Sequence, residues 1–187
     1  MQDLKLFMLM LGCRPAGRNT EQHDMLFGIA ETVKDLVPEI KAFWPEAKGN
    51  IHVDAWRAVT CVNGYAIKVV PKQEATPSEN TDKLFFLNLG GYKPNEFDEF
   101  HYKMLVVASD QAGAVKQAKQ TAFYKHTGFA SATSHIDDKF GVDVDDLAEV
   151  KDMLSAEVKQ KYSLQLTPHS AAPEDEMHLG YFQLHKL

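Results

Sequence analysis

Residues 5–12 read KLFMLMLG, and residues 83–90 read KLFFLNLG. The echo continues at a constant offset of 78, and the windows 5–30 and 83–108 share nine of 26 residues. Besides Lys5, the residues Leu6, Phe7, Leu9, Leu11, Gly12, Glu21, His23 and Ala30 return as Leu84, Phe85, Leu87, Leu89, Gly90, Glu99, His101 and Ala108. Ordinary residue frequencies give about one or two matches in such a window, so the chain reads as an internal repeat.

Working outward from that stretch, Leu6 to Leu11 is a continuous apolar run, as in a strand buried on both faces. Gly12 to Asn19 reads as a loop, and Met25 to Ala30 as a second strand. Val33, Leu36, Val37, Ile40, Phe43 and Trp44 recur at helical spacing, with Thr32 as cap and a kink or a tight first turn expected at Pro38. A strand from Ile51 follows, then Asn63-Gly64 between β-forming residues, which specifies a type I′ hairpin.

The second copy predicts strands at Leu84 to Leu89 and Tyr102 to Ala108, and a helix from about Gln111 to Lys125 capped by Ser109-Asp110. His135-Ile136-Asp137 echoes His52-Val53-Asp54 at an offset drifted to 83. Leu147 to Leu154 is readable as strand or helix, Ser155 to Tyr162 as a short helix, and Met177 to Leu184 as a last strand. That strand closes the sheet or pairs with another subunit. The expected fold is α+β, two pseudo-symmetric strand-strand-helix-strand-strand repeats packed as one domain with mostly antiparallel sheet. Repeat 1 spans 1–77 and repeat 2 spans 78–187, with a C-terminal strand extension.

Bulk composition narrows the function classes. At 187 residues with 44% hydrophobic content, the chain can bury a sizeable core. Net charge is −6, from 20 basic and 26 acidic residues, and no Lys/Arg run occurs, which disfavours nucleic acid. No apolar run has the length of a membrane helix, and the N-terminus lacks the pattern of a signal peptide. With two cysteines, Cys13 and Cys61, the expectation is a reduced, cytoplasmic protein without a disulfide framework.

Several motifs carry a resemblance. Glu21-Gln22-His23-Asp24, Ala42-Phe43-Trp44-Pro45, His52-Val53-Asp54-Ala55-Trp56-Arg57 and Leu89-Gly90-Gly91-Tyr92 are similar to those of one bacterial family. So is the run from Thr121 through Asp138. Together they resemble the family catalogued as domain of unknown function 1543, over roughly residues 4–154. The resemblance implies small, soluble bacterial proteins carrying the domain in duplicate. It brings no activity, substrate or catalytic residue.

The residues themselves offer a sharper constellation. Glu21 with His23, His52 with Asp54, Glu99 with His101 and His135 with Asp137 each lie two apart. On a strand such pairs share a face. If the strands neighbour one another, each copy presents two imidazoles and two carboxylates, a donor set suited to zinc, iron or manganese. The commoner role of a His beside a carboxylate in a half-buried sheet is to hold strands in register. Retention in both copies fits that packing role as well.

A second candidate is a ligand site in the two loops, with Arg14 and Arg18 in one and Gly90-Gly91, Tyr92 and Lys93 in the other. Neither matches a phosphate-binding fingerprint, and turn glycines with solvated cations explain them as well. Cys13, near Arg14, reads as an inert thiol. Asp137-Asp138 and Asp143 to Asp146 lack the spacing of a calcium loop and read as a solvated acidic strand edge. The aromatic residues Phe85 to Tyr102 read as core rather than a base-stacking sheet.

Three functions follow. The first is a small ligand or divalent metal held between the repeats. The second is a metal-dependent hydrolase or lyase using the same residues, by analogy with tandem-module metalloenzymes. The third is a dimeric interaction module pairing through Met177 to Leu184, with no small-molecule site.

Overall fold

The computed structural model describes residues 3–75, 81–92, 95–120, 144–169 and 175–187. Contacts divide the chain into two units, Met1–Pro77 with Met153–Leu187, and Ser78–Asp152. Met153–Leu187 groups with the first unit through two long-range strand pairings. Among the described residues every pairing is antiparallel, as expected of an α+β chain of this pattern.

In the first unit, β1 (Lys5–Cys13) is central to its sheet, flanked by β2 (Gln22–Ala30) and β3 (Ile51–Val59). Both faces of β1 are largely buried, which is why its sequence is apolar throughout rather than alternating. The odd-numbered residues Phe7, Leu9, Leu11 and Cys13 share a core with Val33, Leu36 and Ile40. The helical segment is a 3-10 turn, Val33–Leu36, running into α1, Val37–Phe43. Pro38 sits in the first turn of α1, where its missing N–H costs nothing, so the break falls where the sequence placed it. Gly28 faces α1, and a Cβ there would come within 2.6 Å of Leu36 Cδ2.

The β1–β3 ladder contains a bulge. Met10 pairs with Ala55 and Leu11 with Val53, leaving Asp54 as the extra residue. Side chains alternate with a period of two, so the extra residue shifts the phase of β3. Ile51 and Val53 on one side of it, and Trp56 and Ala58 on the other, thereby all reach the same core.

β4 (Cys61–Val62) and β5 (Tyr65–Pro71) form the Asn63-Gly64 hairpin, whose turn residues have φ of 51° and 76°. The tail supplies the remaining strands. β9 (Tyr162–Pro168) pairs along β5, and β10 (His178–Gln183) pairs on the outer edge of β3. Phe182, Leu184 and Leu187 pack against the core of this unit. The last strand thus closes a sheet within its own chain, one of the two roles its sequence allowed.

In the second unit, β6 (Lys83–Gly91) is flanked by β7 (Phe100–Ala108) and β8 (Val144–Glu149). β6 and β7 begin and end 78 residues after β1 and β2, with the same register. α2 (Gln111–Ala118) starts at Asp110, whose carboxylate accepts from the Gly113 N–H at 2.7 Å. Its Ala114, Val115 and Ala118 pack on Phe85, Leu87 and Val106.

Two expectations need correction. Gly12 and Gly90-Gly91 lie inside β1 and β6, not in loops, for a reason given by the site below. Leu147 to Leu154 is neither all strand nor all helix, since β8 ends at Glu149 and α3 (Val150–Met153) follows. α4 (Ala156–Lys161) then begins behind Ser155, whose Oγ accepts from the Val158 N–H at 3.4 Å.

Candidate metal centre

Gly12 pairs with His23 on β2 and with His52 on β3, so the two imidazoles flank a position that has no side chain. A Cβ built on Gly12 would collide with His52 Nε2 and Asp54 Oδ2. The glycine is therefore there for space, the usual meaning of glycine inside a strand where another group approaches closely. Glu21 immediately precedes β2 and completes the group.

The four side chains form a closed ring. His23 Nε2 lies 3.8 Å from Glu21 Oε2 and 3.3 Å from Asp54 Oδ2. His52 Nε2 lies 3.1 Å from Glu21 Oε1 and 3.2 Å from Asp54 Oδ1. Charge-assisted N–H···O bonds cluster at about 2.7–2.9 Å, shorter than any of these. Each carboxylate meets the two imidazoles through different oxygens, so each bridges His23 and His52 rather than offering both the same atom.

His52 is the buried member, 6% exposed. Its Nε2 and Asp54 Oδ2 are buried atoms without a well-directed hydrogen bond, although each sits within ion-pair distance of an opposite partner. Leaving such atoms unsatisfied is costly, on the order of 1–3 kcal/mol each. The His52 ring packs against Tyr181 of β10, centroids 4.2 Å apart, and His178 stacks on Trp56 at 3.8 Å. Beside His52 opens a hollow of about 530 Å³.

Residues 18–69 match the family described as Domain of Unknown Function (DUF1543). That DUF1543 segment contains all four ring residues. No curated protein matches the chain. Among solved structures the chain is similar to "Crystal structure of a protein Il1583 from Idiomarina loihiensis", with a TM-score of 0.64 at 21% identity. The likeness covers 97% of this chain and 98% of that one, and at this identity it is a likeness of fold. Among the described residues no helix is long and apolar enough to cross a membrane.

Beyond the DUF1543 segment, the second unit carries a related group. Glu99, His101 and Asp145 each offer a donor atom, all within 4.8 Å of one another, and His101 Nε2 lies 3.1 Å from Asp145 Oδ2. His135 and Asp137, expected here from the sequence, lie outside the described residues. The strand against β6 is β8, and its bulge residue between the Asn88 and Leu89 pairings is Asp145. Asp145 is exposed on an edge strand, in line with its reading as part of a solvated acidic edge, and its carboxylate also meets His101. A Cβ on Gly90 would meet Asp145 Oδ2 at 2.7 Å, so this glycine also makes room for a carboxylate. Close by on β7, burial pulls the Lys103 ammonium below its ordinary pKa, while the charges of Asp145 and Asp146 oppose that shift.

The loop candidates fare differently. Arg14 and Arg18 are exposed, and the Arg14 guanidinium donates to the Arg18 carbonyl at 3.2 Å. Tyr92 is half-buried just after β6, and Lys93 lies outside the described residues. Cys13 is fully buried, and burial followed by the charge of Glu21 pushes its thiol pKa up, as suits an inert thiol. Sequence reasoning missed Gly12, Asp145 and Tyr181. The first two had a signal, a glycine ending each apolar run and an acid-rich strand, whereas Tyr181 arrives from a distant segment with none.

Proposed function

We propose that the protein binds a divalent metal ion, zinc, iron or manganese, through Glu21, His23, His52 and Asp54. The observation that carries this reading is the buried His52 Nε2, which lies 3.1 Å and 3.2 Å from two carboxylates without a directed hydrogen bond. A ring that only held strands together would aim its N–H groups at carboxylate oxygens. The site is built within one unit, from β2, β3 and the residue before β2. The equal bounds and registers of β1–β2 and β6–β7 support a duplicated half as its origin.

The test is metal content. The protein is stripped with chelator and reloaded with zinc, manganese or ferrous iron, and bound metal is counted by elemental analysis. Stoichiometric metal is expected, lost in His23→Ala/His52→Ala with the circular dichroism spectrum unchanged. Failure of all three metals to bind, or retention by the double variant, sinks the reading.

A hydrolase or lyase role is the second reading, and the hollow beside His52 favours it. An ion of five or six coordination would keep a position for water beyond the four protein donors, and metal-bound water ionises near neutral pH. Turnover of a generic esterase, phosphatase or lyase substrate by the metal-loaded protein alone supports it. Silence across that panel leaves a binding protein.

A further inference from the structure

Gly90 on β6 pairs with His101 on β7, and the bulge of β8 brings Asp145 over the same glycine. A Cβ at Gly90 would meet Asp145 Oδ2 at 2.7 Å and Oδ1 at 2.9 Å, so both oxygens of that carboxylate fill the space the glycine leaves. Glu99 immediately precedes β7, two residues from His101, and strand alternation gives the two a common face. One donor atom from each of Glu99, His101 and Asp145 lies within 4.8 Å of the other two. Lys103, two residues further along β7, is half-buried and feels the charges of Asp145 and Asp146. Of the three carboxylates Glu99, Asp145 and Asp146, its ammonium offsets one, and the charge left over equals that of a divalent cation. A plain ion pair between His101 and Asp145 needs no second carboxylate beside it.

We propose that Glu99, His101 and Asp145 form a second metal site, an open one that takes manganese or ferrous iron. One imidazole with two carboxylates is a harder set than the nitrogen- and sulfur-rich ones of zinc, and a softer set than the all-oxygen ones of magnesium and calcium. His101 and Asp145 are exposed, and three protein donors leave the remaining positions of a six-coordinate ion to water. The ion is therefore held loosely, with a Kd of about 0.1–1 mM, as where donors are few and the site is not rigid. Gel filtration empties such a site, so it adds nothing to the metal counted for the ring around His52. The site is built within the second unit, and it stands whether or not that ring binds an ion.

The experiment titrates Mn²⁺ into the full chain carrying His23→Ala/His52→Ala, in which the ring of the first unit is disabled, and reads free Mn²⁺ by electron paramagnetic resonance. One reversibly bound ion per chain is expected. Adding Asp145→Asn or His101→Ala should weaken binding about tenfold or more, and Gly90→Ala should do the same by pushing the Asp145 carboxylate aside. Circular dichroism checks the fold of each variant, and Asp145→Asn, which preserves the size of the side chain, carries the test if Gly90→Ala disturbs the strand. No binding up to about 1 mM Mn²⁺ overturns the proposal. So does binding that survives both Asp145→Asn and His101→Ala, and either result leaves the ring of the first unit untouched.

Discussion

Asp54 and Asp145 occupy the same position in two ladders, each the extra residue of a bulge opposite the central strand of its sheet. The bulge sits between Met10 and Leu11 in the first unit and between Asn88 and Leu89 in the second, 78 residues on. Among the described residues their settings differ, because Asp54 forms ion pairs with two imidazoles and Asp145 with one. Asp54→Ala should therefore lower zinc affinity by at least about 100-fold, beyond the 10–100-fold of outer-shell changes. Asp145→Ala should leave that affinity unchanged. Competition with a chromophoric chelator measures both, and equal losses would falsify the assignment of the ion to the first unit.

Gly12→Ala inserts a methyl group where His52 Nε2 and Asp54 Oδ2 sit. One of the two donors has to move, and a metal site tolerates little displacement. Zinc affinity should fall about 10–100-fold, the range seen when ligand orientation is disturbed. Gly12→Ala that binds zinc like the parent, by the same competition assay, means the ring has slack and the donor geometry is not decisive.

Glu39 on α1 is half-buried, and desolvation pushes its carboxyl pKa above the ordinary value, with Ser155 opposing and Glu157 adding to the shift. A carboxyl whose folded pKa is raised stabilises the fold fully below its unfolded pKa, and that contribution is lost as pH rises through the folded value. Glu39→Gln should then raise the melting temperature at pH 7, and the gain should vanish as pH approaches 4. A gain that is constant with pH points to helix propensity instead.

Phe182 joins the first-unit core from the far end of the sequence. Full burial of a Phe is associated with a loss of about 3–5 kcal/mol on truncation to Ala, and a half-buried one with roughly half of that. Phe182→Ala should destabilise the protein by about 2 kcal/mol in urea titration. A change under about 0.5 kcal/mol means that β10 is peripheral to the fold.

Cys13 is enclosed and its thiol pKa is raised, whereas Cys61 is half-buried. Alkylation with iodoacetamide at pH 8, read by mass spectrometry, should modify Cys61 first and reach Cys13 only on unfolding. Labelling of native Cys13 at a comparable rate contradicts the burial described.

Much of this was legible in the residues. Leu6 to Leu11 and Leu84 to Leu89 announce central strands because burial on both faces leaves no polar position in the first and a single one, Asn88, in the second. Asn63-Gly64 announces its hairpin because both turn residues need positive φ. The ring of Glu21, His23, His52 and Asp54 followed from two-residue spacing, and the structure brings those side chains together. The third strand of the second unit was not legible. His135-Ile136-Asp137, which echoes His52-Val53-Asp54, lies outside the described residues, and the described strand beside β6, Val144–Glu149, carries no histidine. A bulge moves the phase by one residue, and no local pattern counts residues across it. Nor could the tail be placed, since β9 and β10 pair with strands about 100 residues or more earlier in the chain.

That distant pairing has a consequence for synthesis. Residues 78–152 leave the ribosome as an uninterrupted stretch and can fold on emergence, whereas the first unit waits for its own missing pieces. Until residues 178–183 arrive, β3 keeps an open edge and His52 lacks its aromatic cover. The nascent chain thus exposes a bare template for wrong pairing throughout that interval. The part translated first is the part finished last.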